Sequence, residues 1–393
     1  MTTRGDFIIE GTVAPGYESL RQMFETNYEL GCEENSQLCI YVGEEKVVDL
    51  WGKVDKQSKF DGDSLINVFS STKSVTAIMM AMAKDRGWLD YSDKIATHWP
   101  EFGQEGKEDI TVADLMRHEA GLANLQFPLK LEDLTTESIK MNKVGEQLAR
   151  MPAKYPAADR KREYHALTRG WIANEIFRRV HPDKMTLGEF LQAEIADTLN
   201  VDVFIGCTKE NFYKGRHADL RYTVKESLKC ALGFSNGVNE SVFSLMKLMY
   251  GAAKIGKAPP AVENFKDALD IMNEDFRKTE TPSANGNCSA RGLALLGSVM
   301  ANRGSFKGKQ LMGEEAWTAM HDKATDGLLF LDYSAPMTQG GVAKYPEDNL
   351  YRKGYCGWGG YGGSVFQWHP QLKIGFAYTC TLLFPVRLSM KHL

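Results

Sequence analysis

Two stretches at opposite ends of the chain share one design, and together they constrain the fold most. "SQLCIYVGEEKVVDLWG" alternates apolar and polar residues on both sides of Gly43-Glu44-Glu45-Lys46, as a hairpin with one buried face does, with strands over roughly Leu38 to Val42 and Val47 to Trp51. Far along the chain "GSVFQWHPQLKIGFAYT" repeats the pattern, with His369-Pro370-Gln371-Leu372 as the turn. The two ends are therefore expected to share one antiparallel sheet, with everything between them looped out.

What is looped out reads as helix. The segment after Ser70, "TVADLMRH", "TRGWIANEIFRRV", "TLGEFLQAEIADTL", "SVFSLMKLMYGAA" and "SARGLALLGSVMANRG" all carry helical apolar spacing. The expected fold class is α+β: an antiparallel sheet built from both chain ends and flanked by helices, plus a helical middle. We read one domain over 1–393, in which 1–69 and 290–393 form the sheet part and 70–289 the mainly helical part. At 393 residues and 43% hydrophobic content the chain has ample material for a core. Turn-rich connections around "PEFGQEGKED", "FPLKLEDLTTES" and "DYSAPMTQGGVAKYPEDN" are too long to be simple linkers and suit a pocket wall.

Charge and composition exclude several functions. A net charge of -4 with both signs interspersed offers no basic stripe for nucleic acid or an anionic membrane. The start, "MTTRGDFIIEGTVAPGYE", lacks an apolar leader core, and no later run suits a bilayer span, so the expectation is a soluble cytoplasmic protein. The closing "KHL" only loosely matches a peroxisomal ending. Seven scattered cysteines without a C-x-x-C pair point to free thiols. Eight histidines without metal-ligand spacing give no metal site, and no other cofactor is called for.

The chemistry-bearing stretch is "FSSTKSVTAIMMAMAKDRG". Val75, Ile78, Met79 and Met82 fall at i, i+3, i+4 and i+7, and Gly87 stops the helix, which puts Ser70 at its N-terminus. Unpaired backbone N–H groups and the positive dipole end lie there, and Lys73 follows one turn on, on the same face. Ser70 is then either a nucleophile with Lys73 as its base, or a helix cap beside a solvated lysine. "SLMK", Ser244 to Lys247, has the same spacing inside a helix, where the Ser244 amide is already spent on the ladder; spacing alone does not decide.

The company Ser70 keeps does. "FSSTKSVTAIMMAMAKDRGWLDYSDKIATHWPEF", "LMRHEAGL", "YHALTRGW", "PSANG" and "GWGGYGGSVFQWHP", in that order, resemble the serine β-lactamase and penicillin-binding-protein superfamily, most of all class C β-lactamases and family VIII carboxylesterases. The likeness runs from about Gly31 to Phe384. It implies an acyl-accepting Ser70, an activating Lys73, and a Tyr164 that shuttles the proton between nucleophile, leaving group and water or alcohol. That role requires a Lys73 that loses its proton, which burial favours. A lone tyrosine packs into a core as readily; the flanking "YHALTRGW" carries the match.

The third motif aligns as Trp358-Gly359-Gly360, and the resemblance implies an oxyanion hole made of the Ser70 and Tyr361 amides. Removing one such donor typically costs about 3–4 kcal/mol. The glycines let backbone approach the substrate, or simply form a flexible turn. Two departures matter. The second motif's asparagine is Ala166, and Trp358 stands where β-lactamases and transpeptidases generally place a lysine or histidine. Indole cannot pair with a carboxylate, so weak or absent β-lactamase activity and a neutral or apolar acyl group are expected. Ser283, Asn285 and His165 are expected to line the substrate, and His118 to support the site structurally.

The resulting expectation is a serine acyl hydrolase acting on a small-molecule ester or related acyl substrate. Two rivals remain: an acyltransferase passing the acyl group to an alcohol or amine, and a non-catalytic scaffold that acts by assembly. Only "FPVRLSMKHL" follows the last strand, so the sheet's covering falls to the helix near Tyr17 to Leu30, to a partner chain, or to neither.

Overall fold

The two end hairpins pair with each other. A computed structural model of the chain describes residues 7–159, 161–206, 216–222, 261–265, 267–330, 333–349 and 352–383. Its main sheet has seven strands: β1 (Ile8–Val13), β2 (Asn35–Val42), β3 (Glu45–Lys53), β4 (Ala343–Lys344), β5 (Cys356–Gly359), β6 (Val365–His369) and β7 (Ile374–Cys380). Their spatial order is β1-β3-β2-β7-β6-β5-β4, antiparallel throughout. The join between the chain ends is the β2–β7 pair, in register from Ile374 opposite Val42 to Cys380 opposite Ser36. The first hairpin is longer than its sequence pattern suggests and turns tightly, with Val42 opposite Glu45, while the second closes with His369 opposite Ile374.

Period-two alternation divides each central strand between two cores. Leu38 and Ile40 of β2, with Val365 and Tyr378, face one cluster, while Cys39 and Tyr41, with Phe366, Trp368 and Ala377, face the other. Helix α1 (Glu18–Glu29) covers the first face. Tyr17, Leu20, Phe24 and Tyr28 form its apolar stripe, and Phe24 and Tyr28 are fully buried in it. Of the expected coverings the N-terminal helix is the one seen on this face; residues 384–393 lie outside the described set. Helix α4 (Ala290–Ala301) covers the other face and is capped by the Ser289 hydroxyl, which accepts from the Gly292 amide at 3.1 Å. It lies so close to β7 that a Cβ on Gly375 would sit 2.2 Å from the Ser298 nitrogen.

Helix α2 (Thr72–Asp85) differs from its sequence pattern. It is buried at every position from Thr72 to Ala83, enclosed among α3 (Thr168–Val180), α5 (Glu314–His321) and the sheet edge. Its apolar stripe understates this because alanine, serine and threonine fill the remaining positions in a tightly packed interior. The middle also holds strands that the sequence did not suggest: Ile66–Asn67, Gly286–Cys288 and Val203–Ile205 make a small antiparallel sheet. "TLGEFLQAEIADTL" is helical but broken, with a π-helical turn over Leu191–Ala196 between two short α segments. The helix expected over "SVFSLMKLMYGAA", with Ser244 and Lys247, falls outside the described residues, as do Cys207 and Cys230. Among the described residues no helix is long and apolar enough to cross a membrane, and no cluster suited to a metal ion is found.

Candidate active site

Ser70 stands on a 3-10 turn, Phe69–Ser71, that runs directly into α2. Phe69 holds φ at 43°, in the left-handed region that side chains with a Cβ seldom occupy. The turn is fastened on both sides. The Phe69 amide donates to Asn67 Oδ1 at 2.9 Å, and the Thr72 hydroxyl donates to the Phe69 carbonyl at 2.5 Å while accepting from the Gly286 amide at 2.9 Å. Backbone strain held this firmly is typical of functional positions. It leaves Ser70 only half-buried although the helix behind it is sealed.

Lys73 is buried to 2% exposure, and its Nζ has three oxygen neighbours: Ala166 O at 2.7 Å, Ser283 O at 3.0 Å and Ser70 Oγ at 3.3 Å. Burial first, and the Arg169 guanidinium second, hold this amine well below the ordinary lysine value, with no carboxylate opposing them. A neutral amine has two hydrogens and one lone pair. The two carbonyls take the hydrogens, which turns the lone pair toward Ser70 Oγ. Tyr164, on the segment entering α3, donates its hydroxyl to Ser70 Oγ at 2.7 Å, and its ring lies 4.8 Å from Lys73 Nζ. Ser70 Oγ is therefore held between an acceptor and a donor.

The third motif closes the other side. The Ser364 hydroxyl donates to the Val68 carbonyl at 2.8 Å, binding β6 to the turn that carries Ser70. A Cβ on Gly360 would lie 2.2 Å from both the Val68 carbonyl oxygen and Ser364 Oγ, so only glycine permits this approach. Tyr361 opens the next 3-10 turn, 43% exposed, with its ring edge-on to Phe69 at 5.5 Å. The Ser70 and Tyr361 amides each lie at the start of a short turn, where backbone donors have no partner from their own helix, and among the described residues neither donates to a backbone carbonyl. Trp358 stacks on Tyr164 at 6.2 Å, and both pack against Ala335, Met337, Ala343 and Tyr345. Arg352 lies over the Tyr345 ring and donates to its hydroxyl at 2.7 Å.

Ser70, Lys73, Tyr164 and the Trp358–Tyr361 segment are thus brought together. The three residues expected along the substrate are not: Ser283, Asn285 and His165 are sealed behind the site. Asn285 spends its side chain on its own loop, accepting from the Thr281 amide and donating to the Thr279 and Phe276 carbonyls. Ser283 accepts from the Gly170 amide through its hydroxyl, and its carbonyl holds Lys73. His165 bridges the Glu163 carbonyl and the Leu122 amide, and burial pushes its imidazole down to about 4. An isolated polar residue in a sequence shows nothing of whether nearby backbone will absorb it. His118 supports the site: its Nδ1 accepts from the His165 amide at 3.0 Å, and its ring lies 4.9 Å from Tyr164.

One neighbour of the site went unread in the sequence. Arg169, the second residue of α3, is buried to 1% and donates to the Lys73 carbonyl at 3.0 Å. A sequence signal existed: a cation in the first turn of a helix opposes the dipole and calls for a reason. A cavity of about 390 Å³ lies elsewhere, lined by Thr136, Glu189, Gln192 and Ile205 among others, and includes none of the motif residues.

Comparison with known proteins agrees with this geometry. A model of the Beta-lactamase family matches residues 34–391. The Esterase/beta-lactamase LipL of Mycobacterium tuberculosis (strain ATCC 25618 / H37Rv) is 29% identical over 361 residues, covering 90% of this chain and 79% of that protein. A penicillin-binding protein homolog from Caulobacter crescentus is 27% identical, with a TM-score of 0.76 and 98% of each chain covered. A family VIII carboxylesterase, 24% identical, shares the fold with a TM-score of 0.78 over 98% of this chain and 100% of its own. With the family model spanning residues 34–391, most of its length, the chain belongs to the Beta-lactamase family of serine hydrolases.

Proposed function

We propose that the protein is a carboxylesterase-like serine acyl hydrolase working through a Ser70 acyl-enzyme on small, neutral esters. The observation that carries this reading is the position of Ser70 Oγ, 2.7 Å from the Tyr164 hydroxyl and 3.3 Å from a buried Lys73 amine. In the forward step Ser70 Oγ attacks the ester carbonyl carbon as its proton passes to Lys73 Nζ, and the carbonyl oxygen takes up negative charge between the Ser70 and Tyr361 amides. The C–O bond to the alcohol then breaks, and the leaving alkoxide takes a proton delivered through Tyr164. Water attacks the acyl-enzyme, loses its proton to the same pair, and the acid departs with the Ser70 hydroxyl restored.

The substrate side follows from the wall. Trp358 and Tyr164 present aromatic surface, backed by the buried Met337 and Ala335, and the Ala166 side chain supplies no polar contact. A carboxylated β-lactam finds no cation at position 358, and a lost charge-assisted hydrogen bond is worth about 1.5–3 kcal/mol. Values of kcat/KM for p-nitrophenyl acetate and butyrate should therefore exceed that for nitrocefin by about 10- to 100-fold. Nitrocefin turnover equal to that of the esters would contradict the neutral-substrate reading. Product analysis with an added alcohol separates hydrolysis, which gives free acid, from transfer, which gives the new ester. A dead scaffold would have no reason to keep a buried lysine and a tyrosine hydroxyl aimed at one serine oxygen.

A further inference from the structure

We propose that Arg169 is a positioning residue of the Ser70 site: a buried cation, without a carboxylate partner among the described residues, that is fixed on the Lys73 carbonyl and through its field helps Lys73 serve as the proton acceptor for Ser70. The inference rests on the hydrolase reading above and extends it to a residue outside the three motifs.

The geometry is specific. Arg169 donates through one terminal nitrogen to the carbonyl of Lys73 itself, at 3.0 Å, so its charge is fixed beside the residue that it influences. Its other terminal nitrogen lies 3.3 Å from His118 Nε2. That contact does not neutralise it. Burial and the neighbouring cations keep His118 well below the usual histidine value, so the ring is neutral and has one acceptor nitrogen. Nδ1 already accepts from the His165 amide at 3.0 Å, which leaves the hydrogen on Nε2, facing a donor. Arg169 Nε is buried and has no hydrogen-bond partner among the described residues.

A purely structural arginine in this place would be poorly built. It is fully enclosed, sits in the first turn of α3 against the helix dipole, and has no carboxylate; a well-packed apolar side chain would be no less stable there. The charged and titratable groups that face it are Lys73 on α2, Tyr91, His118, and Tyr164 and His165 on the segment before α3. Both histidines stay neutral and burial pushes the Tyr91 hydroxyl up, so these three supply no anion near neutral pH, while the Tyr164 hydroxyl is directed at Ser70 Oγ. Burial lowers the Arg169 guanidinium only to about 10, which leaves it charged there. Lys73, whose own carbonyl Arg169 holds, lies in this field, and two like charges in one low-dielectric site favour loss of the more labile proton.

The test is the pH dependence of Ser70 phosphonylation by a p-nitrophenyl alkylphosphonate, followed by intact-protein mass, in wild type, Arg169→Met, Arg169→Gln and Arg169→Lys. Wild-type labelling should rise through an acid limb well below the ordinary lysine value of about 10.4. In Arg169→Met or Arg169→Gln the limb should move up by about one pH unit or more, with labelling at pH 7 falling about tenfold, and Arg169→Lys should return it most of the way. A merely structural arginine would change the melting temperature and leave the limb in place. An unmoved limb in either folded neutral variant would overturn the proposal. If neither neutral variant folds, a wild-type limb near the ordinary lysine value would overturn it equally. Absence of labelling in wild type at every pH would instead bring down the hydrolase reading on which it rests.

Discussion

Ser70→Ala is expected to lower kcat/KM for p-nitrophenyl acetate by about 10⁴-fold or more, leaving a residue of activity from the oxyanion donors and binding alone. The size follows from the geometry, because nothing else near the site stands in for the lost hydroxyl. Ser71, its neighbour, is fully buried and contacts the Ser364 hydroxyl instead. Tyr164 would lose the acceptor that orients its hydroxyl, and Lys73 the proton that it is placed to take. The variant should fold normally, since Ser70 is half-exposed and, among the described residues, its hydroxyl holds no structural bond beyond these two. A drop of less than about tenfold, with unchanged circular dichroism, would move the chemistry to another residue.

Lys73→Met is expected to cost about 10³- to 10⁴-fold in the acylation rate. Lys73→Arg should be nearly as inactive, although it keeps the charge. Guanidinium does not surrender its proton, so an arginine fills the place without serving as a base. The sign of the pH effect follows from the lowered amine: activity is absent where Lys73 is protonated and appears as pH rises through its depressed value. In Lys73→Met that limb should vanish, leaving a shallow profile at a low level. Stopped-flow burst rates between pH 5 and 9 check both statements, and an intact limb in Lys73→Met would show that another group titrates. Loss of the lysine also strips the Ala166 and Ser283 carbonyls of a donor, so a lower melting temperature accompanies the kinetic loss.

Much of this was legible in the sequence because the information is local. Alternation in "SQLCIYVG" and "KIGFAYT" marks strands with two different faces, and the β2–β7 pairing follows once both hairpins are seen. Ser70, Lys73, Tyr164 and Tyr361 are marked by motif, and the structure puts the Lys73 amine and the Tyr164 hydroxyl within reach of Ser70 Oγ, with the Tyr361 ring against the adjacent Phe69. What was not legible depends on packing. The complete burial of α2 comes from small residues whose periodicity carries no signal, and the three-stranded sheet of Ile66–Asn67, Gly286–Cys288 and Val203–Ile205 is made of runs too short to alternate. Ser283, Asn285 and His165 look like cleft residues by their chemistry, yet backbone groups consume them all. Arg169 belongs to the same class: its position in the first turn of α3 was visible, but its grip on the Lys73 carbonyl depends on how two helices cross.

The central claim, that Ser70 is the acyl-accepting nucleophile, is tested most directly by intact-protein mass after brief exposure to a p-nitrophenyl alkylphosphonate, followed by peptide mapping of the adduct. The account predicts one phosphonyl group per wild-type chain, carried on the peptide containing Ser70, absent in Ser70→Ala and retained in Ser244→Ala. An adduct that persists in folded Ser70→Ala, or a folded wild type that acquires none, would contradict it.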